Sequence, residues 1–188
     1  MYFHPAGTSM SSRATQFSNL YENHHRRVLA YCLRRTNETD ANDAASEVFA
    51  IAWRRIDDLP NPDMELAWLY AVARRVLSRQ WRGARRLARL RDRVQTQPRH
   101  ASPDPATAVA QSFEDSLVLA AAKTLNALDR EVLRLAAWEG LTHREIAGIL
   151  GIKVAAVDQR FHRAKKRLAT AYLALAGAES SATSEGSA

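Results

Sequence analysis

Cysteine is almost absent: Cys32 stands alone among 188 residues, so no internal disulfide can brace the chain. Its neighbours Tyr31 and Leu33 set it in an apolar helical pattern, where a thiol packs as a small hydrophobe rather than serving as a redox sensor. No apolar run approaches the roughly 18 residues of a membrane helix, and the opening residues lack a signal-peptide core. The expected compartment is the cytoplasm, with no membrane insertion. No alternating strand pattern and no internal repeat is visible. Neither G-x-G-x-x-G nor G-x-x-x-x-G-K-[ST] occurs, which removes the common phosphate-cradling loops. The six histidines are scattered, or adjacent as His24 and His25, without metal-ligand spacing. These absences exclude the usual enzyme classes, and no catalytic residue, metal or cofactor is expected.

What is present is basic. Lys and Arg number 27 against 20 Asp and Glu, a net charge of +7 that suits a polyanionic partner. Basic amphipathic helices also bind membranes, so charge is only a first filter. The pattern predicts an all-α chain of two small helical domains joined by a flexible linker, the second ending in a helix-turn-helix. Residues 1–14 are polar and irregular, and are expected to be disordered. Residues 15–93 form the first domain. A first helix carries Phe17, Leu20, Tyr21, His24, Val28, Tyr31 and Cys32 at helical spacing. Asp40 is the expected N-cap of a second helix, whose buried face is Ala41, Ala45, Val48, Phe49, Ala52 and Ile56. The prolines within residues 59–63 break the chain. A third helix is expected from about Glu65 to Arg82. Residues 94–111, rich in proline and small residues, read as the linker. Residues 112–175 form the second domain, and 176–188, rich in Ser, Ala, Gly and Glu, a disordered tail. With helical patterns of about 60–70 residues each, both domains sit near the lower limit for independent folding.

The second domain names a partner most directly. Thr142 and Glu145 form a T-x-x-E capping box. Ile146, Ala147, Ile149 and Leu150 make an apolar stripe, and Gly151 stands where a left-handed cap is wanted. A second helix begins near Val154, with Val157, Phe161, Ala164 and Leu168 on one face and Gln159, His162, Arg163 and Lys166 on the opposite one. A short helix, a glycine turn and a longer helix with cationic side chains outward suit the major groove of duplex DNA. The plainer reading is a helical bundle with a solvated basic face.

Two features of the first domain also invite partners. Asp40, Asp43 and Glu47 project from the second helix away from its apolar face. That is either an ordinary solvated surface or a dock for a basic protein. Nine arginines and a single acid, Asp92, lie between Arg74 and Arg93. The arginine fork matches phosphate, and Trp68, Tyr70 and Trp81 interleave with the run as stacking planes for unpaired bases. The plainer reading packs Trp68 and Trp81 against neighbouring helices.

Three segments, in order, resemble the extracytoplasmic-function (ECF) sigma factors, the RNA polymerase sigma factors with regions 2 and 4 only. Asp40-Ala41-Asn42-Asp43 with Glu47-Val48-Phe49 resembles the D-A-x-D-x-x-x-E-V-F motif of region 2.2. Residues 68–74, WLYAVAR, resemble the W-L-Y-x-I-A-R motif of regions 2.3 and 2.4. Trp138-Glu139-Gly140-Leu141, Glu145-Ile146-Ala147, Leu150-Gly151-Ile152, Val157 and the stretch from Arg160 through Arg163-Ala164 resemble region 4. The resemblance covers about residues 17–82 and 117–170. It implies promoter-specific initiation of transcription with bacterial core RNA polymerase and promoter DNA as partners. Asp40, Asp43, Glu47 and Phe49 would dock on the β′ clamp helices, and the β flap is a second polymerase contact. Asn61, Trp68, Arg74, Arg75, Arg79 and Arg82 would melt and hold the minus-10 element, an extruded base needing a pocket and stacking partners. Asp158, Gln159, Arg160, His162, Arg163 and Lys166 would meet the minus-35 duplex. Of these, Asp158, Gln159, His162 and Arg163 face bases, while Arg160, Lys166 and the nearby Lys165 and Arg167 serve phosphates or structure. An anti-sigma protein is a further partner that the resemblance admits.

The chain departs from the family pattern in places. Arg75 stands where Asn is common and Arg79 where Asp or Asn is usual. An amide both donates to and accepts from a base edge, whereas Arg only donates. Asp158 replaces a usual Lys or Arg and could accept from a cytosine amino group. Ala156 stands where Thr is frequent. The competing function is a stand-alone helix-turn-helix regulator, against which the region 2 motifs argue.

Overall fold

The computed structural model describes the backbone of residues 10–92 and 113–185, with side chains over 10–86 and 116–178. The fold is all-α, with no strand among the described residues. The chain divides into two compact units, Met1–Ala101 and Ser102–Ala188. The expected linker at 94–111 lies outside the described residues. Among those described, no helix is long and apolar enough to cross a membrane, and no group of three or more His, Cys, Asp or Glu could hold a metal ion.

The first unit packs three helices: α1 (Met10–Leu33), α2 (Glu38–Arg54) and α3 (Pro62–Asp92), with a 3₁₀ turn at Ile56–Asp58. Helices α1 and α2 pack together, burying Leu20, Val28, Tyr31 and Cys32 of the one and Ala41, Ala44, Ala45, Val48 and Ala52 of the other. The small side chains of α2 let its neighbours approach closely, and Leu69, Tyr70, Val72, Ala73, Val76 and Leu77 of α3 complete the core. Tyr31 and Tyr70 stack inside it at 4.9 Å. Cys32 is fully buried, as its apolar setting predicted.

Several boundaries differ from the sequence reading. Helix α1 starts at Met10 rather than near Thr15, since no proline or glycine interrupts residues 10–33. Asn37, not Asp40, caps α2: its side chain accepts from the Asp40 N–H at 2.9 Å. Asp40 lies one turn inside, where a carboxylate favours the positive end of the helix dipole. Helix α3 begins at Pro62, because proline is suited to the first helical position, where its missing N–H costs nothing. It also runs on past Arg82 to Asp92.

The second unit holds α4 (Phe113–Lys123), α5 (Ala127–Ala137), α6 (His143–Leu150) and α7 (Val154–Glu185). Leu117, Ala121, Leu125, Val132, Leu135, Ile146, Ile149, Val157 and Ala164 form its core. Helix α7 packs against α4, α5 and α6. Its helical course through residues 176–185 replaces the disordered tail expected there. Alanine is the strongest helix former and no proline follows Val154, so Gly177 alone does not end the helix.

Candidate polymerase and nucleic-acid interfaces

The helix-turn-helix is built by local chemistry. The Thr142 hydroxyl accepts from the Glu145 N–H at 3.3 Å, and the Glu145 carboxylate accepts from the Thr142 N–H at 2.7 Å. At the other end of α6, Gly151 adopts φ 67° and donates to the Ala147 carbonyl. A β-carbon is disfavoured at that dihedral, so glycine makes the tight turn into α7. Gly140, at φ 66°, performs the same service after α5, where the Leu141 N–H reaches back to the Leu135 carbonyl at 3.2 Å.

On α7 the two faces separate cleanly. Val157 and Ala164 are wholly buried, with Phe161 and Leu168 partly so, while Gln159, His162, Arg163 and Lys166 are exposed. The Arg163 Nε–H donates to the Gln159 carbonyl at 3.3 Å, and the side chain is exposed. Two residues assigned to the minus-35 contact, Arg160 and Asp158, have partners within the unit. Arg160 donates to the buried carboxylate of Asp129 at 2.8 Å, and Arg167 reaches the same carboxylate at 3.7 Å. Arg160 therefore ties α7 to α5, the structural role that stood beside a phosphate contact in the sequence reading. Asp158 is bonded to the His143 ring of α6, which lies 4.9 Å from the Phe161 ring. One oxygen of its carboxylate is thus engaged within the fold, while the side chain keeps 48% of its exposure.

Beside α7, an apolar groove of about 140 Å³ opens between Val118, Leu119, Ala122, Leu133, Trp138 and Leu168, with Lys123, Arg130 and Arg134 around it. Trp138 is 46% exposed at its edge, with the Arg134 guanidinium 5.7 Å from its ring. Sequence reading missed this groove because its lining comes from three helices.

In the first unit, Asp43 is exposed and has no side-chain partner among the described residues. Asp40 is also exposed but accepts from Asn37 Nδ2 at 2.8 Å and from the Thr36 hydroxyl at 3.3 Å. Glu47 is half-buried and paired with Arg79 of α3. Phe49 does not join this face. It is 3% exposed and packed among Phe17, Tyr21 and His25, because it lies on the apolar side of α2. The docking role assigned to it is corrected to one in the core.

The start of α3 is held by the Asn61 carbonyl, which accepts from the Met64 N–H at 2.8 Å, and by Glu65, whose carboxylate is 3.2 Å from His24 Nε2 of α1. Asn61 is exposed. Trp68 is half-buried, with the Arg55 guanidinium 5.8 Å from its ring. Tyr70, counted among the stacking planes in the sequence, is 1% exposed and belongs to the core. Arg74 is half-buried, while Arg75, Arg79, Arg82 and Trp81 are exposed.

Comparison with known proteins resolves the class. The Sigma-70 region 2 family model matches residues 20–87, and the Sigma-70, region 4 model matches 116–168. The RNA polymerase sigma factor CnrH of Cupriavidus metallidurans is 31% identical over 141 residues, 70% of this chain and 72% of that protein. The chain belongs to the sigma-70 family of RNA polymerase sigma factors. Within the family it is similar to ECF members: the ECF RNA polymerase sigma factor SigL of Mycobacterium tuberculosis is 29% identical over 84% of this chain and 89% of its own length. The probable RNA polymerase sigma factor RfaY of Xanthomonas campestris is 33% identical over 73% of this chain, and that match spans 36% of RfaY. Among solved structures, the sigma factor RpoE of Bartonella quintana, in complex with the anti-sigma factor NepR, aligns at a TM-score of 0.64 and 22% identity. That alignment covers 84% of this sigma factor and 96% of RpoE, and it shows the all-helical fold.

Proposed function

We propose that this chain is an ECF-type sigma factor that directs bacterial core RNA polymerase to a distinct set of promoters in the cytoplasm, with no catalysis of its own. The observation that carries this is a region 4 helix with Gln159, His162, Arg163 and Lys166 outward, in the same chain as a region 2 unit with its own exposed acidic and cationic faces. Asp43 and Asp40, with Glu47 at the edge, dock on the β′ clamp helices. Charge complementarity there sets register and association rate more than raw affinity. Asn61, Trp68, Arg74, Arg75, Arg79 and Arg82 hold the melted minus-10 strand, with Trp68 offering a partly open ring for stacking. The groove beside Trp138 receives an apolar helix of the β flap. An anti-sigma protein is a further partner, as NepR is of RpoE.

Run-off transcription from a fragmented genomic library, with bacterial core polymerase in the presence and absence of the chain, tests the reading. Discrete start sites that need the chain are expected. Tight sequence-specific binding to DNA without polymerase, and no new starts, would instead identify a stand-alone regulator.

A further inference from the structure

Two residues assigned to different partners are bound to each other. Glu47, at the edge of the acidic face of α2, pairs with Arg79, one of the α3 cations assigned to the minus-10 strand. They are 32 residues apart in the chain, and the packing of α2 on α3 brings them together. On α2, Asp43 and Glu47 lie four residues apart and share a face; on α3, Arg75, Arg79 and Arg82 follow at four and three and share another. The acidic and cationic faces therefore meet at this pair. Arg75 and Arg82, one turn to either side of Arg79, are exposed and have no ion pair among the described residues. Of the three, only Arg79 is answered by an acid. The pairing also depends on this chain's own charge. Arg79 stands where Asp or Asn is usual, and a carboxylate there would repel Glu47 rather than hold it.

The Arg79 side chain keeps 62% of its exposure and that of Glu47 29%. Arg79 is thus open to a DNA strand, but a phosphate that approaches it also approaches the Glu47 carboxylate. The two anions repel, and part of the guanidinium fork is already taken. Glu47 in turn presents less charge to a basic polymerase surface while Arg79 neutralises it. A partner that engages either residue frees the other. We infer that the Glu47–Arg79 pair is an intramolecular clasp that couples polymerase docking to minus-10 strand binding. In the free chain each residue masks the other, and engagement of Glu47 by core polymerase releases Arg79 to phosphate. The inference rests on the sigma-factor reading and adds a regulation of its two faces. Linkage makes the effect reciprocal: the factor that polymerase adds to DNA affinity through the pair is the factor that DNA adds to polymerase affinity. Its size is bounded. A solvent-exposed ion pair is weak and is screened by salt, so the coupling is at most about fivefold and fades as ionic strength rises.

The test uses the full chain, core polymerase and a labelled single-stranded oligonucleotide carrying the non-template minus-10 segment of a start site that the run-off experiment yields. Glu47→Gln keeps the shape of the side chain and removes its charge. In the free chain at low salt it should tighten oligonucleotide binding by about two- to fivefold. In an Arg79→Ala background it should do so by no more than Asp43→Asn, which removes the same charge from a residue with no side-chain partner among the described residues. In assembled holoenzyme the gain should be lost, because polymerase already holds Glu47. Arg79→Ala should tighten docking on core polymerase in the absence of DNA by a similar factor, a change that a merely supporting role would not produce. No gain from Glu47→Gln in the free chain would show that the pair masks nothing, and equal gains with and without Arg79 would reduce the effect to net charge. A gain that persists in holoenzyme would leave the pair closed on polymerase, and weaker docking of Arg79→Ala would make Arg79 a support of the acidic face; each of these overturns the inference. Failure of the parent chain to bind core polymerase would instead overturn the sigma-factor reading itself.

Discussion

A carboxylate that is 2% exposed needs donors on every side, and Asp129 has them. Asn126 donates through Nδ2 at 2.6 Å, Arg160 at 2.8 Å, and Arg167 stands at 3.7 Å. Removing one partner of a buried pair leaves the other charge uncompensated, which costs about 3–5 kcal/mol. Arg160 and Arg167 keep access to water, so Asp129→Ala should cost about 3 kcal/mol, the lower end of that range. Loss of amide-exchange protection in α5 and α7, with α1 and α2 unaffected, would be the signature. At the DNA-facing surface the residues should divide. Arg163→Ala should cost roughly 1–3 kcal/mol on the preferred minus-35 sequence if its fork is bidentate to a guanine, and little on a sequence changed at that base pair. Asp158→Ala should leave base preference untouched, because its carboxylate is already engaged by His143. A shift in preference at one base pair on mutating Asp158 would return it to the reading face. None of this division could be seen in the sequence. Asp158 and Gln159 are adjacent and equally polar, and only the position of His143, fifteen residues earlier, separates their roles.

At the scale of elements, α6 and its turn were legible because their determinants are local. The Thr142–Glu145 box spans three residues and Gly151 sets a single dihedral. Thr142→Ala should cost about 1 kcal/mol, and Gly151→Ala about 1–2 kcal/mol through the left-handed strain. Amide exchange of α6 and α7 in the full chain measures both, and a silent Gly151→Ala would mean the turn relaxes to another geometry. Helix ends without such signals were misplaced. Two candidate caps, Asn37 and Asp40, lie within one turn of each other. The choice between them depended on whether the backbone before Glu38 was extended, as it is at Asn37, with ψ at 167°. The length of α3 and of α7 escaped the sequence for a different reason. Apolar periodicity reports where a helix is buried, not where it ends, and both helices outrun their cores.

Across the whole molecule, a net charge of +7 conceals an uneven distribution. Asp40, Asp43 and Glu47 stand on α2 of the same unit whose α3 bears the arginine run, so opposite charges are presented by different helices. Asp43 is the cleanest probe of the acidic face, because Asp40 also supports the cap region and Glu47 holds Arg79. Asp43→Lys should weaken binding to core polymerase by about tenfold or more at low salt, with the difference shrinking as salt rises. Fluorescence anisotropy of the labelled chain against core polymerase measures this. An unchanged affinity at every salt concentration would remove Asp43 from the interface. Thermal stability should be unaffected, since Asp43 has no side-chain partner among the described residues.

The sequence by itself determined the helical class, the division into two units, the buried stripes of α1, α2 and α7, and the motifs by which the family is read. All of these follow from spacing along one helix or from chemistry within a single turn. Tertiary structure alone decided which polar groups remain available. It withdrew Phe49 and Tyr70 into the core, tied Arg160 to Asp129, Asp158 to His143 and Arg79 to Glu47, and opened the groove beside Trp138. The physical reason is the same in each case. Whether a side chain faces solvent or a partner depends on what a distant segment brings to it, and spacing along one helix does not report that segment.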